Sequence, residues 1–285
     1  MLFLNTIADV RSQLAAWRRA GEQIALVPTM GNLHDGHLRL VDTARNLAER
    51  VVVSVFVNPT QFVQGEDFDS YPRTPEQDAE SLRERGADLM FMPEEKEIYP
   101  RGREGISFVE VPGVSEGLCG SSRPGHFRGV ATVVLKLFNI IQPDVALFGE
   151  KDFQQLAVLR RMVVDLSVPV ELVGVPTVRE SDGLAMSSRN RYLSPNERQK
   201  APALYRTLKG VAECLESGER DIVTLEREAM ARLAGAGFEP EYVSVRCADD
   251  LAPAGGDEGA LVVLAAARLG RARLIDNLRV SSDSK

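Results

Sequence analysis

Residues 24–57 read IALVPTMGNLHDGHLRLVDTARNLAERVVVSVFV. Ile24 to Thr29 is a short apolar run closed by Met-Gly, the pattern of a buried strand. A loop, Met30 to Asp35, leads into Gly36 to Arg50, where Leu38, Val41, Leu47 and Ala48 share one helical side. Val51 to Val57 is β-branched and almost uninterrupted, as a strand covered on both faces must be. Strand, helix and strand in this order form a parallel β-α-β unit, so the fold class is α/β with a doubly wound, Rossmann-like parallel sheet.

The alternation extends both ways. Thr6 and Asp9 open a helix that runs to Arg19. Thr74 caps a helix with Pro75 at its first position, ending near Gly86, and Ala87 to Met92 follows as a strand. Gly129 to Ile141 reads as an apolar helix, Val145 to Phe148 as a strand, Phe153 to Leu166 as a helix and Val170 to Val175 as a strand. Beyond Pro176 the texture changes. Pro195 to Ser217 and Asp221 to Leu233 read as helices, and Tyr242 to Arg246, Leu261 to Ala266 and Ala272 to Leu278 as closely spaced strands. This predicts two domains: 1–180, Rossmann-like, and 181–285, a smaller α+β lid. Ala252 to Gly259 reads as a flexible loop.

A chain of 285 residues buries roughly three quarters of its unfolded surface and needs no disulfide or metal staple. Cys119, Cys214 and Cys247 are too scattered for a disulfide framework or a zinc site, which fits a reducing cytoplasm. The N-terminal stretch carries Asp9, Arg11, Arg18 and Arg19 and reads as neither a signal peptide nor a membrane span. With a net charge of -7, neither nucleic acid nor an anionic membrane is an expected partner. A small anion remains possible where bases gather, as Arg123, Arg128, Lys151, Arg179, Arg189 and Arg191 do.

The chain has three histidines, and two stand in His34-Asp35-Gly36-His37 at a strand-to-helix junction. The first turn of a helix has unpaired N–H groups and positive partial charge, so imidazoles there suit phosphate. Ligands of open α/β sheets lie outside the carboxyl ends of strands, where this turn falls. A helix cap plus a surface histidine is the plain alternative. Asn58-Pro59-Thr60-Gln61-Phe62 offers uncharged amides, or merely a turn. Arg123 to Gly129 sets basic groups on a Gly-rich turn, and Lys151 sits where Phe148-Gly149-Glu150-Lys151-Asp152 passes from strand to helix. Asp182 to Asn190 is a Gly-led loop with two hydroxyls and Arg189, equally readable as a linker. Neither G-x-x-x-x-G-K-[ST] nor a G-x-G-x-x-G after the first strand occurs, which disfavours P-loop and dinucleotide enzymes.

His34-Asp35-Gly36-His37 and Met186-Ser187-Ser188-Arg189 resemble the two motifs of the HIGH-type nucleotidyltransferase superfamily. PTMGNLHDGH, VNPTQF, YPRT, GHFRGVATVV, FGEKDFQQ, DGLAMSSRNRYLS and LVVLAAARLGRARLIDN, in this order, resemble the pantothenate synthetase (pantoate–β-alanine ligase) family over nearly the whole chain. The resemblance implies an ATP-dependent ligase acting through a pantoyl adenylate. It implies ATP contacts from Met30, Gly31, Asn32, Leu33, His34, Asp35, Gly36 and His37, from Gly149, Glu150, Lys151 and Asp152, and from Val178, Met186, Ser187, Ser188 and Arg189. His37, His34, Lys151 and Arg189 would be catalytic. Gln61, Gln155, Arg123 and His126 would meet pantoate and β-alanine. Asp78 resembles a position linked to Mg²⁺, and a homodimer is implied. Another nucleotidyltransferase of the same superfamily is the nearest alternative.

Overall fold

A computed structural model of the chain describes residues 1–255 and 259–280. Positions 256–258 of the expected loop at 252–259 lie outside the described residues. The first unit comprises β1 (Leu2–Leu4), α1 (Ile7–Arg19), β2 (Ile24–Thr29), α2 (Asp35–Arg45), β3 (Arg50–Val55), α3 (Pro75–Glu84), β4 (Leu89–Phe91), α4 (Glu95–Ile98), α5 (Leu118–Ser122), α6 (His126–Ile141), β5 (Val145–Gly149), α7 (Phe153–Asp165) and β6 (Glu171–Val175). Its strands pair in parallel in the order β1-β4-β3-β2-β5-β6. Ile24, Leu26 and Val52 pack toward α1, α6 and α7, while Ala25, Val27, Val51 and Val53 pack toward α2 and α3. The period-two alternation of a strand thus feeds two cores, which is why residues 24–27 and 51–53 are uninterrupted apolar runs.

The second unit comprises α8 (Pro195–Lys200), α9 (Ala203–Glu216), α10 (Ile222–Gly235), β7 (Glu239–Cys247), β8 (Leu261–Leu269) and β9 (Ala272–Val280). The three strands form an antiparallel sheet with β8 in the centre. Val263, Ala265, Ala267 and Leu269 of β8 meet α9 and α10. On the opposite face Val262 and Leu264 meet Leu118, Phe153 and Ala157 of the first unit. An apolar seam therefore joins the two units beside the start of α7.

Several boundaries differ from the sequence reading. α2 stops at Arg45, not Arg50, because Asn46 caps it and the chain turns back. Arg50 instead opens β3, where it pairs with Glu22 at 2.7 Å and Asp88 at 3.0 Å. The single helix expected over 195–217 is two, α8 and α9, since Pro202 has no N–H to continue the ladder. Thr74 makes no side-chain cap bond to the backbone of α3, and its hydroxyl turns to Asp78. The edge strand β1 and the short helices α4 and α5 carried too little periodicity to be anticipated.

α6 crosses closely over the 3₁₀ turn Pro59–Gln61. A Cβ on Gly129 would lie 2.1 Å from the Thr60 carbonyl oxygen and 2.7 Å from the Gln61 nitrogen. Gly129→Ala must push α6 off this turn, and such overpacking costs about 1–3 kcal/mol. The urea midpoint is expected to fall by that free energy divided by the m-value; an unchanged midpoint would show the crossing to be soft.

Candidate active site

β2 pairs with β3 on one side and β5 on the other, so the chain leaves their carboxyl ends in opposite directions and opens a crevice. The turn after β2 carries the histidines. Gly31 and Asn32 both adopt positive φ, at 78° and 50°, which glycine and asparagine tolerate best. Both carboxylate oxygens of Asp78 hold this turn, accepting from Asn32 N at 2.9 Å and Leu33 N at 2.8 Å. Thr74 Oγ1 adds a third bond at 3.1 Å.

His34 and His37 together cap α2. His34 Nδ1 accepts from Gly36 N at 3.1 Å, and His37 Nδ1 accepts from His34 N at 3.4 Å. A neutral imidazole that accepts at Nδ1 carries its proton on Nε2. Both rings, 4.1 Å apart, are thereby left with an Nε2–H donor free of the backbone. Burial and the nearby Lys151 ammonium lower the His34 pKa to about 4, and burial and His34 lower that of His37 to about 3. Both are neutral donors at pH 7.

The turn after β5 carries Lys151, whose ammonium lies 3.8 Å from the Asp152 carboxylate. The segment after β6 returns across the crevice. Ser187 Oγ accepts from Arg189 N at 3.3 Å, and Ser188 Oγ donates to the Asn32 carbonyl at 3.3 Å. The Arg189 guanidinium pairs with Asp67 at 2.8 Å. One cleft is therefore lined by Met30, His34, Gly36, His37, Gly149, Lys151, Asp152, Val178, Met186, Ser187, Ser188 and Arg189. Gly31, Asn32, Leu33, Asp35 and Glu150 belong to its turns without lining it.

The same cleft reaches Gln61, Gln155, Arg123 and His126 over a floor that includes Val130, Val133, Val134, Leu137 and Phe148. Gln61 is held by Asn58 Nδ2, which donates to its Oε1 at 3.1 Å. His126 Nδ1 donates to the Gln61 carbonyl at 2.7 Å, so its Nε2 accepts from Arg123 at 2.8 Å. Burial, then the Arg123 charge, lower the His126 pKa to about 4. Arg123 in turn is gripped by both oxygens of Glu66, at 2.5 and 2.8 Å. Burial would raise the Glu66 pKa, but the Arg123 bonds outweigh it and hold the carboxyl below its ordinary range. Arg123 and His126 thus form a charge-balanced wall instead of free anion donors. Asp78, with its side chain nearly fully buried and engaged as described, does not line the cleft. Among the described residues no group of three or more His, Cys, Asp or Glu is arranged to hold a metal ion.

Sequence reasoning missed Glu66 and Asp67, the partners of two site arginines, because ion pairing across the fold leaves no local pattern. The amide of Asn58, read in the sequence as one that could meet a ligand, instead donates to Gln61 Oε1 and the Gly129 carbonyl. The double glutamine of α7 divides its labour: Gln154 is buried and bonds the carbonyls of Val114, Glu116 and Gly117, while Gln155 faces the cleft.

A histidine pair, a lysine and a serine-arginine loop thus meet around the switch point of a doubly wound sheet, the arrangement that the sequence resemblance implies. A family model for pantoate-β-alanine ligases matches residues 2–279, and the chain belongs to that family. It is 58% identical over 284 residues to a pantothenate synthetase of Methylococcus capsulatus, covering 100% of this chain and 99% of the relative. A pantothenate synthetase of Shewanella loihica is 58% identical and covers 98% of both chains. The crystal structure of pantothenate synthetase from Thermus thermophilus superposes with a TM-score of 0.92 at 47% identity, covering 98% of this chain and 99% of that one. A pantoate-β-alanine ligase from Francisella tularensis, complexed with β,γ ATP and β-alanine, matches at 32% identity with a TM-score of 0.80, covering 98% of this chain and 97% of that one. The chain is accordingly an ATP-dependent ligase that joins pantoate to β-alanine. No helix among the described residues is long and apolar enough to cross a membrane.

The three histidines make stability acid-sensitive in a definite direction. Their pKa values of about 4, 3 and 4 lie below the ordinary 6.5, so the unfolded chain binds more protons as pH falls. The stabilisation is complete above about pH 6.5 and is lost progressively as pH drops through 6.5 toward the folded values. Urea midpoints should hold from about pH 8 to 7 and fall below about 6.5. Replacing His126→Gln should flatten that fall; an identical slope would assign it to other groups.

Proposed function

We propose that both steps of the ligation occur in this one cleft. Pantoate's carboxylate attacks the α-phosphorus of ATP, forming an acyl-phosphate bond as the bond to pyrophosphate breaks. The amine of β-alanine then attacks the acyl carbon, the bond to AMP breaks, and the amine gives up a proton as the amide forms. In the first step two anions must approach each other, so the enzyme's work is to hold them in line and to offset charge that grows on phosphate.

The observation that carries this reading is the convergence of three chain segments on a single cleft: His34 and His37, Lys151, and Ser187 to Arg189. We assign the triphosphate to Met30 through His37, Gly149 through Asp152, Val178 and Met186 through Arg189. His34 and His37 donate from Nε2, Lys151 supplies a point charge, and Arg189 exchanges Asp67 for phosphate. His37 is the proton donor. Gln61 and Gln155 hold pantoate through neutral amides, which leaves its attacking oxygen undiminished as a nucleophile. Arg123 and His126 wall the acid side. No covalent enzyme nucleophile is required.

Mg²⁺ would be held chiefly by the triphosphate and water, and would supply charge neutralisation on phosphate beside Lys151 and Arg189. Asp78 does not fit a direct ligand role, because the turn at Asn32 and Leu33 already uses both of its oxygens. The division at 180 and 181 makes the C-terminal unit the lid of the cleft. The apolar seam at Val262 and Leu264 favours motion of the Met186–Arg189 segment over rotation of the whole sheet. We further assign the enzyme to the cytoplasm as a homodimer, a mass that sedimentation in dilute buffer would check.

Release of AMP from ATP should require pantoate and β-alanine together. Lys151→Ala and His37→Ala should each slow adenylation about 10²- to 10³-fold, the usual cost of one preorganised donor. Lys151→Ala should leave the urea midpoint in place, while His37→Ala lowers it modestly because His37 also accepts from His34 N in the cap of α2. Near-normal turnover in either variant refutes its role. Gln61→Ala should chiefly raise the pantoate concentration needed for half-maximal rate; an unchanged pantoate dependence counts against its assignment.

A further inference from the structure

Lys151 reaches the cleft from a 3₁₀ turn of three residues, Glu150–Asp152. The direction of its side chain follows from the backbone of that turn. Two of the turn's carbonyls are held by one side chain from the other unit: Asn277 Nδ2 donates to the Glu150 carbonyl at 2.8 Å and to the Lys151 carbonyl at 2.8 Å. Asn277 lies on β9 and is only 6% exposed. Two positions on, Arg279 shares its face of the strand. It approaches Glu150 at 3.5 Å and stacks over Phe153, 4.9 Å from the ring centre. The preceding residue, Asp276, grips Arg179 with both oxygens at 2.6 and 2.9 Å, and Arg179 lies 3.9 Å over the Tyr205 ring. Arg179 also donates to the Asn277 carbonyl at 3.2 Å. A single stretch of β9 thus holds both the lysine turn and the segment that leads into Met186–Arg189.

We propose that Asn277 is a positioning residue that acts through Lys151: its amide fixes the Glu150–Asp152 turn so that the ammonium meets the transition state at the correct depth. This rests on the reading of Lys151 above. An asparagine suits the task because its amide carries two N–H donors, one for each carbonyl. Aspartate has the same shape but sets acceptors against acceptors, so Asn277→Asp removes the grip without changing the packing volume.

The test is a double-mutant cycle in the full chain, with steady-state AMP formation and urea unfolding measured for each variant. Asn277→Asp should lower kcat about 10- to 100-fold, the scale of a small misplacement of a catalytic group, with the KM for ATP and for pantoate within about threefold of the starting values. Added to Lys151→Ala, it should slow the enzyme no further, since its effect passes through that ammonium. Val263→Ala, a core change in β8 remote from the cleft, serves as the stability control: it should lower the urea midpoint and leave kcat unchanged below the transition. A kcat for Asn277→Asp that falls only in proportion to lost stability, or full additivity with an impaired Lys151→Ala, overturns the proposal. Normal turnover of Lys151→Ala alone instead overturns the reading of Lys151 on which it rests.

Discussion

β2 has β3 on one side and β5 on the other, and helices of opposite faces follow β2 and β5. Their connections must part at the carboxyl end of the sheet, and the parted loops cannot pack against each other. The resulting crevice is bounded by the two turns that open α2 and α7. His34 and His37 stand on one turn and Lys151 on the other, and the proposed triphosphate site lies between them.

Charge in the cleft is balanced before any substrate is present. Arg123 faces Glu66, Arg189 faces Asp67 and Lys151 stands near Asp152, while the imidazoles stay neutral through burial. Buried cations without partners would be costly, so the acids stabilise the open enzyme. An entering triphosphate can displace the more accessible of these partners. The neutral histidines need no displacement, because their Nδ1 atoms are occupied by backbone and their Nε2–H groups are already oriented. Preorganisation of this kind spares reorganisation at the moment of reaction.

The C-terminal sheet bears on the cleft through the turn that opens α7. β8 is apolar on both faces because one face belongs to its own helices and the other to the seam with α5 and α7. That seam ends beside the lysine turn, and β9 bonds to the turn directly. The position of the Lys151 turn is consequently a property of both units, not of the parallel sheet alone.

The alternation of strands and helices was legible in the chain, because burial on two faces demands apolar β-branched runs and burial on one demands a period near 3.6. So were the histidine pair, the Gly149–Asp152 turn and the Ser187–Arg189 loop as segments that line one cleft, since residues at strand ends sit in short contiguous motifs. What stayed hidden depends on separation in sequence. The pairs Arg123–Glu66, Arg189–Asp67 and Arg179–Asp276, and the reach of Asn277 to the lysine turn, join segments with no shared periodicity. The tautomers of His34 and His37 were equally out of reach, because they follow from backbone N–H groups aimed at Nδ1. Local pattern declares which elements form and which groups are chemically able; only the packing of distant segments decides which partners those groups keep, and hence their charge and direction.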